Sequence, residues 1–290
     1  MISDKTDLIV KSNRLIEASY RLTLVEQRMI LAAIVEARES QTGLADSHVS
    51  LEARRFCELF GMRQDSVYGQ LKEALDALYQ RSVTIEDVDP VSGKPRVSSF
   101  RWISSKSYIS GAGTVQLRFS QEVVPYITRL EKEFTSYRLE RIGAMSSPNA
   151  IRVYELLLQY AKLGERTIET EELKRLLGLE GKYTKFSMFQ KSVIDPSVDQ
   201  INEFSDIQVS WKPRKTGRKF SHLVFSISYK AMKPAPVVGA AAKQATKPIE
   251  QHQRLTDKEI SERGLAHPTE SWEQARMRLN GSPEPYVPAA

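Results

Sequence analysis

One order of elements runs twice along this chain, and few folds satisfy it. A long helix with an apolar stripe precedes a short helix, a Gly stop, a second helix and then alternating strands. Two helices around a tight turn make a helix-turn-helix, and a trailing hairpin makes that a winged helix. The expected fold class is α+β: two tandem winged-helix domains related by pseudo-symmetry, followed by a disordered tail. The domains are expected at 1–143 and 144–230, with the tail at 231–290.

In the first copy, Thr23 and Glu26 have capping-box spacing. Leu24, Val25, Ile30, Leu31, Ile34 and Val35 then recur near helical period. Leu8, Leu15, Leu22 and Met29 are spaced by sevens, but the series crosses the cap at Thr23, which argues against a coiled coil. A short helix, Glu52–Phe60, buries Phe56, Leu59 and Phe60 and stops at Gly61. A second begins near Ser66 and presents Val67, Leu71, Ala74, Leu75 and Leu78 on one face. Strands are expected at Val83–Val88, Val97–Ser104 and Val115–Phe119. The turn Asp89–Arg96, DPVSGKPR, joins the first pair and makes this copy's wing.

In the second copy, Ser147-Pro148 starts a helix, with Pro where a missing N–H costs nothing. Its apolar face carries Ile151, Val153, Tyr154, Leu157, Leu158 and Ala161. A short helix, Thr170–Leu177, places Glu171 and Glu172 in its first turn and stops at Gly178. A further helix starts near Lys185. If Phe186, Phe189 and Val193 face the core, then Lys185, Met188, Lys191 and Ser192 point away from it, with Gln190 flanking. Asp195-Pro196 interrupts the helical pattern, so a kink is expected, with Asp195 capping a second segment that carries Val198 and Ile201. Strands Ile207–Lys212 and Phe220–Tyr229 enclose a turn that crowds Lys212, Arg214, Lys215, Arg218 and Lys219 around Gly217.

Those cations are where the chain keeps its charge. Residues 181–230 hold nine cations against four carboxylates, a net +5 of the +6 carried by the whole chain. A local cationic patch points to nucleic acid or an acidic surface. In a winged helix the second helix of the pair enters the major groove of double-stranded DNA and the wing follows phosphates. The candidate DNA-binding residues of the second copy are therefore Lys185, Met188, Gln190, Lys191, Ser192, Lys212, Arg214, Lys215, Arg218 and Lys219. The first copy offers Arg63, Gln64, Ser66, Tyr68 and Lys72 on its second helix, and Lys94 and Arg96 on its wing. Glu73 and Asp76 stand among them, so DNA contact and a mainly protein-binding role both stay open.

No catalytic residue, metal or cofactor is expected. Gly181-Lys182 is followed by Tyr183, and position 176 is Leu, so the phosphate-cradling loop motif is absent. His48, His222, His252 and His267 are isolated, without metal-ligand spacing. The single cysteine, Cys57, lies in an apolar helical pattern, as a small core residue does. It can form no disulfide within the chain, which suits a reducing compartment. The chain has no signal-peptide pattern and no apolar run of membrane-spanning length, so a soluble, cytoplasmic protein without a membrane partner is expected. Seven of the thirteen prolines lie beyond residue 230, which marks the tail. A short helix near Ser271–Leu279 would carry Trp272.

Three separated stretches resemble a known family. They are LIEASYRLTLVEQRMILAAI (Leu15–Ile34), YTKFSMFQKSVIDPSVDQIN (Tyr183–Asn202) and GRKFSHLVFSI (Gly217–Ile227). All are similar to the replication initiators of iteron-containing, theta-replicating plasmids. The resemblance covers about residues 8–230 and implies two winged-helix domains that both grip directly repeated iterons. It further implies opening of an adjacent AT-rich region and recruitment of the host initiator and replicative helicase. It also implies a monomer in equilibrium with a homodimer, formed through the N-terminal domain, that represses the initiator's own promoter. The family's base-reading basic positions fall at Lys185, Gln190, Lys191 and Ser192; Gln190 and Ser192 are not basic here, so the iteron sequence does not carry over. The alternatives are a winged-helix transcriptional repressor without an initiator role and a DNA-nicking enzyme.

Overall fold

A computed structural model describes residues 7–39, 48–63, 67–89, 91–109, 111–128 and 133–230. The expected tail, with Trp272, lies outside the described residues. The chain opens with β1 (Leu8–Ser12) and a single turn of helix, α1 (Asn13–Ile16). The long helix α2 (Leu24–Glu39) begins at the capping box: the Thr23 amide donates to Glu26 Oε2 at 2.7 Å, and the Glu26 amide donates to Thr23 Oγ1 at 3.3 Å. There follow β2 (Val49–Glu52), α3 (Ala53–Phe60), α4 (Val67–Leu78), β3 (Ser82–Val88), β4 (Pro95–Arg101), β5 (Ile103–Ile109) and β6 (Thr114–Phe119). A short helix α5 (Val124–Ile127) and β7 (Phe134–Arg138) lead to α6 (Pro148–Leu158). The second copy continues as β8 (Glu165–Glu169), α7 (Thr170–Leu176), α8 (Phe186–Phe189), α9 (Asp195–Phe204), β9 (Ile207–Thr216) and β10 (Lys219–Tyr229).

The repeated plan is visible in the sheets. The first copy forms a three-stranded sheet ordered β2-β6-β5, and the second forms one ordered β8-β10-β9. In each, a strand before the short helix pairs with the last strand of a hairpin, and the hairpin's first strand lies at the edge. The wing of the first copy is therefore β5–β6. The expectation that Asp89–Arg96 forms that wing is corrected: β3 and β4 make a separate two-stranded hairpin inserted between α4 and β5, joined to Ser19 by an isolated bridge at Thr84. Its local turn chemistry is strong, with Asp89 Oδ1 accepting from the Ser92 amide at 2.7 Å. Nothing local in the sequence tells it from a wing, because the sheet order depends on the distant β2.

Met1–Lys233 form one compact unit. Its centre is α6, buried on every side from Ala150 to Leu157, with Arg152 and Glu155 included. Lys11 of β1 reaches Glu155 Oε1 at 2.7 Å, and the Tyr137 hydroxyl of β7 donates to the same oxygen at 2.5 Å. Arg152 donates to Glu155 Oε2 at 3.3 Å, to the carbonyls of Ile16 and Ala18, and to the Leu176 carbonyl at the end of α7. One guanidinium thus ties the first copy to the second. Burial pulls the Lys11 ammonium below its ordinary value, against the opposing pull of Glu155. The residues spaced by sevens share no helix: Leu8 is in β1, Leu15 in α1, Leu22 in a loop and Met29 in α2.

Candidate nucleic-acid interface

The entry to α8 is a tightly held turn. Gly178 ends the preceding segment in the left-handed region, at φ 63°. Tyr183 adopts φ 55°, which costs a non-glycine residue roughly 1–2 kcal/mol. Packing holds it there. The buried Lys174 ammonium donates to the Tyr183 carbonyl at 3.2 Å and to Glu171 at 2.9 Å, and the Tyr183 ring lies 6.0 Å from that of Phe189.

From Phe186 the helix runs without a break to Phe204, through a π turn at Gln190–Ile194. The expectation that Asp195 caps a second segment is corrected: Asp195 is itself helical, at φ −56° and ψ −50°. Pro196 brings no N–H, and its ring would crowd the carbonyl four residues back. The π turn widens the helix just ahead of it, with the Asp195 amide donating to the Gln190 carbonyl. Phe189, Val193, Val198 and Ile201 are buried as expected. Phe186 is half-buried and stacks on Phe220 at 4.5 Å, with Trp211 at 6.4 Å.

Lys185, Met188, Lys191 and Ser192 are all exposed along one side of this helix. Gln190 is not free in the same way. It is half-buried, and its amide donates to Asp195 Oδ2 at 3.2 Å, an intrahelical bond rather than an outward reach. Asp195 Oδ1 accepts from the Trp211 indole N–H of β9 at 3.1 Å. One carboxylate therefore joins the π turn to the wing.

The wing strands are longer than the sequence alone indicates, because the pairing runs through the basic stretch to Thr216 and Lys219. Gly217 turns the chain at φ 61°, open to glycine without strain. Pro213 sits on the edge strand, where its missing donor breaks no ladder. Every residue from Lys212 to Lys219 is exposed. Strand alternation places Lys215 on the helix side with Trp211, and its ammonium lies 4.6 Å from the Phe220 ring centre. Lys212 and Arg214 point to the other side. Among the described residues, none of Lys185, Lys191, Lys212, Arg214, Lys215, Arg218 and Lys219 forms an ion pair.

The first copy differs in that respect. Arg96 is held by Asp87 at 2.6 Å and by Asp89 at 3.7 Å. It lies with Lys94 on the inserted hairpin, not on the wing. Arg63 and Lys72 are exposed, the Lys72 ammonium 5.2 Å from the Tyr108 ring centre. Tyr68 is half-buried against the core, and Gln64 and Ser66 lie outside the described residues. The wing cations that the sequence did not single out are Arg118, which donates to Ser104 Oγ at 3.2 Å, and Lys106, bound to Asp76, which also accepts from Tyr108. These contacts hold the Asp76 carboxyl below its usual range.

Residues 8–158 match the family described as "Initiator Replication protein, WH1", and residues 169–227 match "Initiator Rep protein, WH2". The chain belongs to this family of replication initiators. A replication initiation protein of Escherichia coli is 26% identical to this initiator over 76% of this chain and 69% of its own. An uncharacterized 27.6 kDa protein of Escherichia coli is 24% identical over 72% of this chain and 91% of its own. The Pi initiator protein, solved in complex with iteron DNA, shares the fold of this initiator with a TM-score of 0.61. It is 20% identical and covers 78% of this chain and 99% of its own. Among the described residues, no helix is long and apolar enough to cross a membrane.

Proposed function

We propose that this initiator binds directly repeated iterons at a plasmid origin, and that its second winged helix makes the main contact. The helix from Phe186 enters the major groove, about 12 Å wide, with Lys185, Met188, Lys191 and Ser192 toward the bases. The wing follows the adjacent backbone. The observation that carries this reading is the set of seven exposed cations on one helix and one wing with no carboxylate partner among the described residues. A folded protein gains nothing from crowding unpaired like charges, whereas phosphate releases counterions from each contact. The first copy, with Arg96 and Lys106 already paired, suits a smaller DNA contact through Arg63, Lys72 and Lys94, together with dimerisation.

In this reading the free energy of binding several repeats opens a neighbouring AT-rich stretch without bond cleavage. The host initiator and helicase then load in the cytoplasm, and a dimer represses the initiator's own promoter. The test is footprinting of full-length protein on its origin with permanganate probing of unpaired thymines. Protection of direct repeats with new reactivity beside them is expected. Protection without reactivity would leave a repressor, and metal-dependent nicking of supercoiled origin DNA would overturn the reading.

A further inference from the structure

Met188 is 55% exposed, the one large apolar side chain in the exposed state from Phe186 to Phe204. Its surroundings are polar: Lys185, Ser187, Lys191 and Ser192 are exposed beside it, and Lys191 and Ser192 stand three and four residues on, on the same face. A lone apolar side chain on a surface ordinarily needs no explanation. This one stands midway between Lys185 and Lys191, two cations with no ion pair among the described residues, in the module whose wing is exposed from Lys212 to Lys219. The clasp of Gln190, Asp195 and Trp211 fixes the helix immediately after it.

The major groove offers hydrogen-bond donors and acceptors on every base pair but a single apolar group, the C5 methyl of thymine. Lys191 and Ser192 suit the acceptors. A methionine suits the methyl, since its unbranched thioether adapts to an irregular apolar neighbour. We infer that Met188 is a specificity-determining residue that packs on a thymine methyl of the bound repeat. The inference rests on the DNA-binding reading above, and it names one position at which the repeat must carry thymine.

The experiment starts from full-length protein and a duplex enriched by it from a random library. Each thymine of that duplex is replaced in turn by deoxyuridine, which removes only the methyl. Wild-type protein is expected to lose about fourfold in affinity at one position, the effect of one methyl-sized apolar contact. Met188→Ala is expected to bind the thymine duplex more weakly and to be indifferent to uracil there, while Met188→Leu keeps the discrimination. A flat uracil scan with wild-type protein, or an undiminished thymine preference in Met188→Ala, overturns the assignment and leaves the DNA reading intact. Failure to enrich any duplex overturns both.

Discussion

Trp211 on the wing strand donates its indole N–H at 3.1 Å to Asp195 of the helix that runs from Phe186 to Phe204. The same carboxylate accepts from Gln190 at 3.2 Å, so one side chain ties this helix to the wing strand. Asp195→Ala strands both donors and is expected to cost about 1–3 kcal/mol in urea denaturation. Trp211→Phe, which keeps a ring beside Phe186, is expected to cost about 1 kcal/mol. In both variants affinity for the enriched repeat should fall more than affinity for an unrelated duplex.

Lys191 is exposed, unpaired among the described residues, and one turn beyond Met188. Lys191→Ala is expected to weaken binding to the repeat by about 1–3 kcal/mol, as removal of a base-edge hydrogen bond does. Non-specific binding should change little. Unaltered affinity in a competition titration would reject this placement of the helix.

The buried cluster at α6 sets a pH dependence. Burial alone would raise the Glu155 carboxyl, but Lys11, Arg152 and Tyr137 together carry it below its ordinary 4.5. A lowered folded value means stability present above 4.5 and lost as pH falls through the folded value. Thermal melts from neutral into acid should show that loss, and Glu155→Gln should be less stable at neutral pH with a flatter acid limb. Lys11→Met, which leaves Glu155 buried with one cation fewer, is expected to cost about 3–5 kcal/mol.

Gly178 marks where the copies touch. A Cβ there would lie 2.8 Å from Arg21 Cβ and 3.0 Å from the Tyr20 carbonyl, in a backbone at φ 63°. Gly178→Ala is expected to lose about 2 kcal/mol from the left-handed strain alone. Melting should fall by at least about 4 °C. An unchanged melting temperature would mean that the junction yields freely.

Local chemistry made much of the second copy legible. The Ser147 cap, the acidic first turn of α7, the Gly178 stop and the alternation of Leu223, Phe225 and Ile227 each act within a few residues. What was hidden needed distant partners. Lys11 reads as a surface lysine until α6 brings Glu155 to it from 144 residues away. The inserted hairpin passed for a wing because its Asp89 turn is local, whereas the true wing is defined by pairing with β2. Pro196 reads as a break because the local rule does not include a π turn that absorbs it. The exposed cations were legible because no carboxylate among the described residues pairs with them. Gln190 was not, because its partner is Asp195.

The most direct measurement is the salt dependence of binding to the enriched repeat, for wild-type protein and for a variant with Arg214, Lys215, Arg218 and Lys219 changed to Ala. The log–log slope should become shallower by about 0.9 for each phosphate that the variant no longer neutralises. An unchanged slope, or equal affinity of wild-type protein for the repeat and an unrelated duplex, would contradict a second module that grips DNA with its helix and wing.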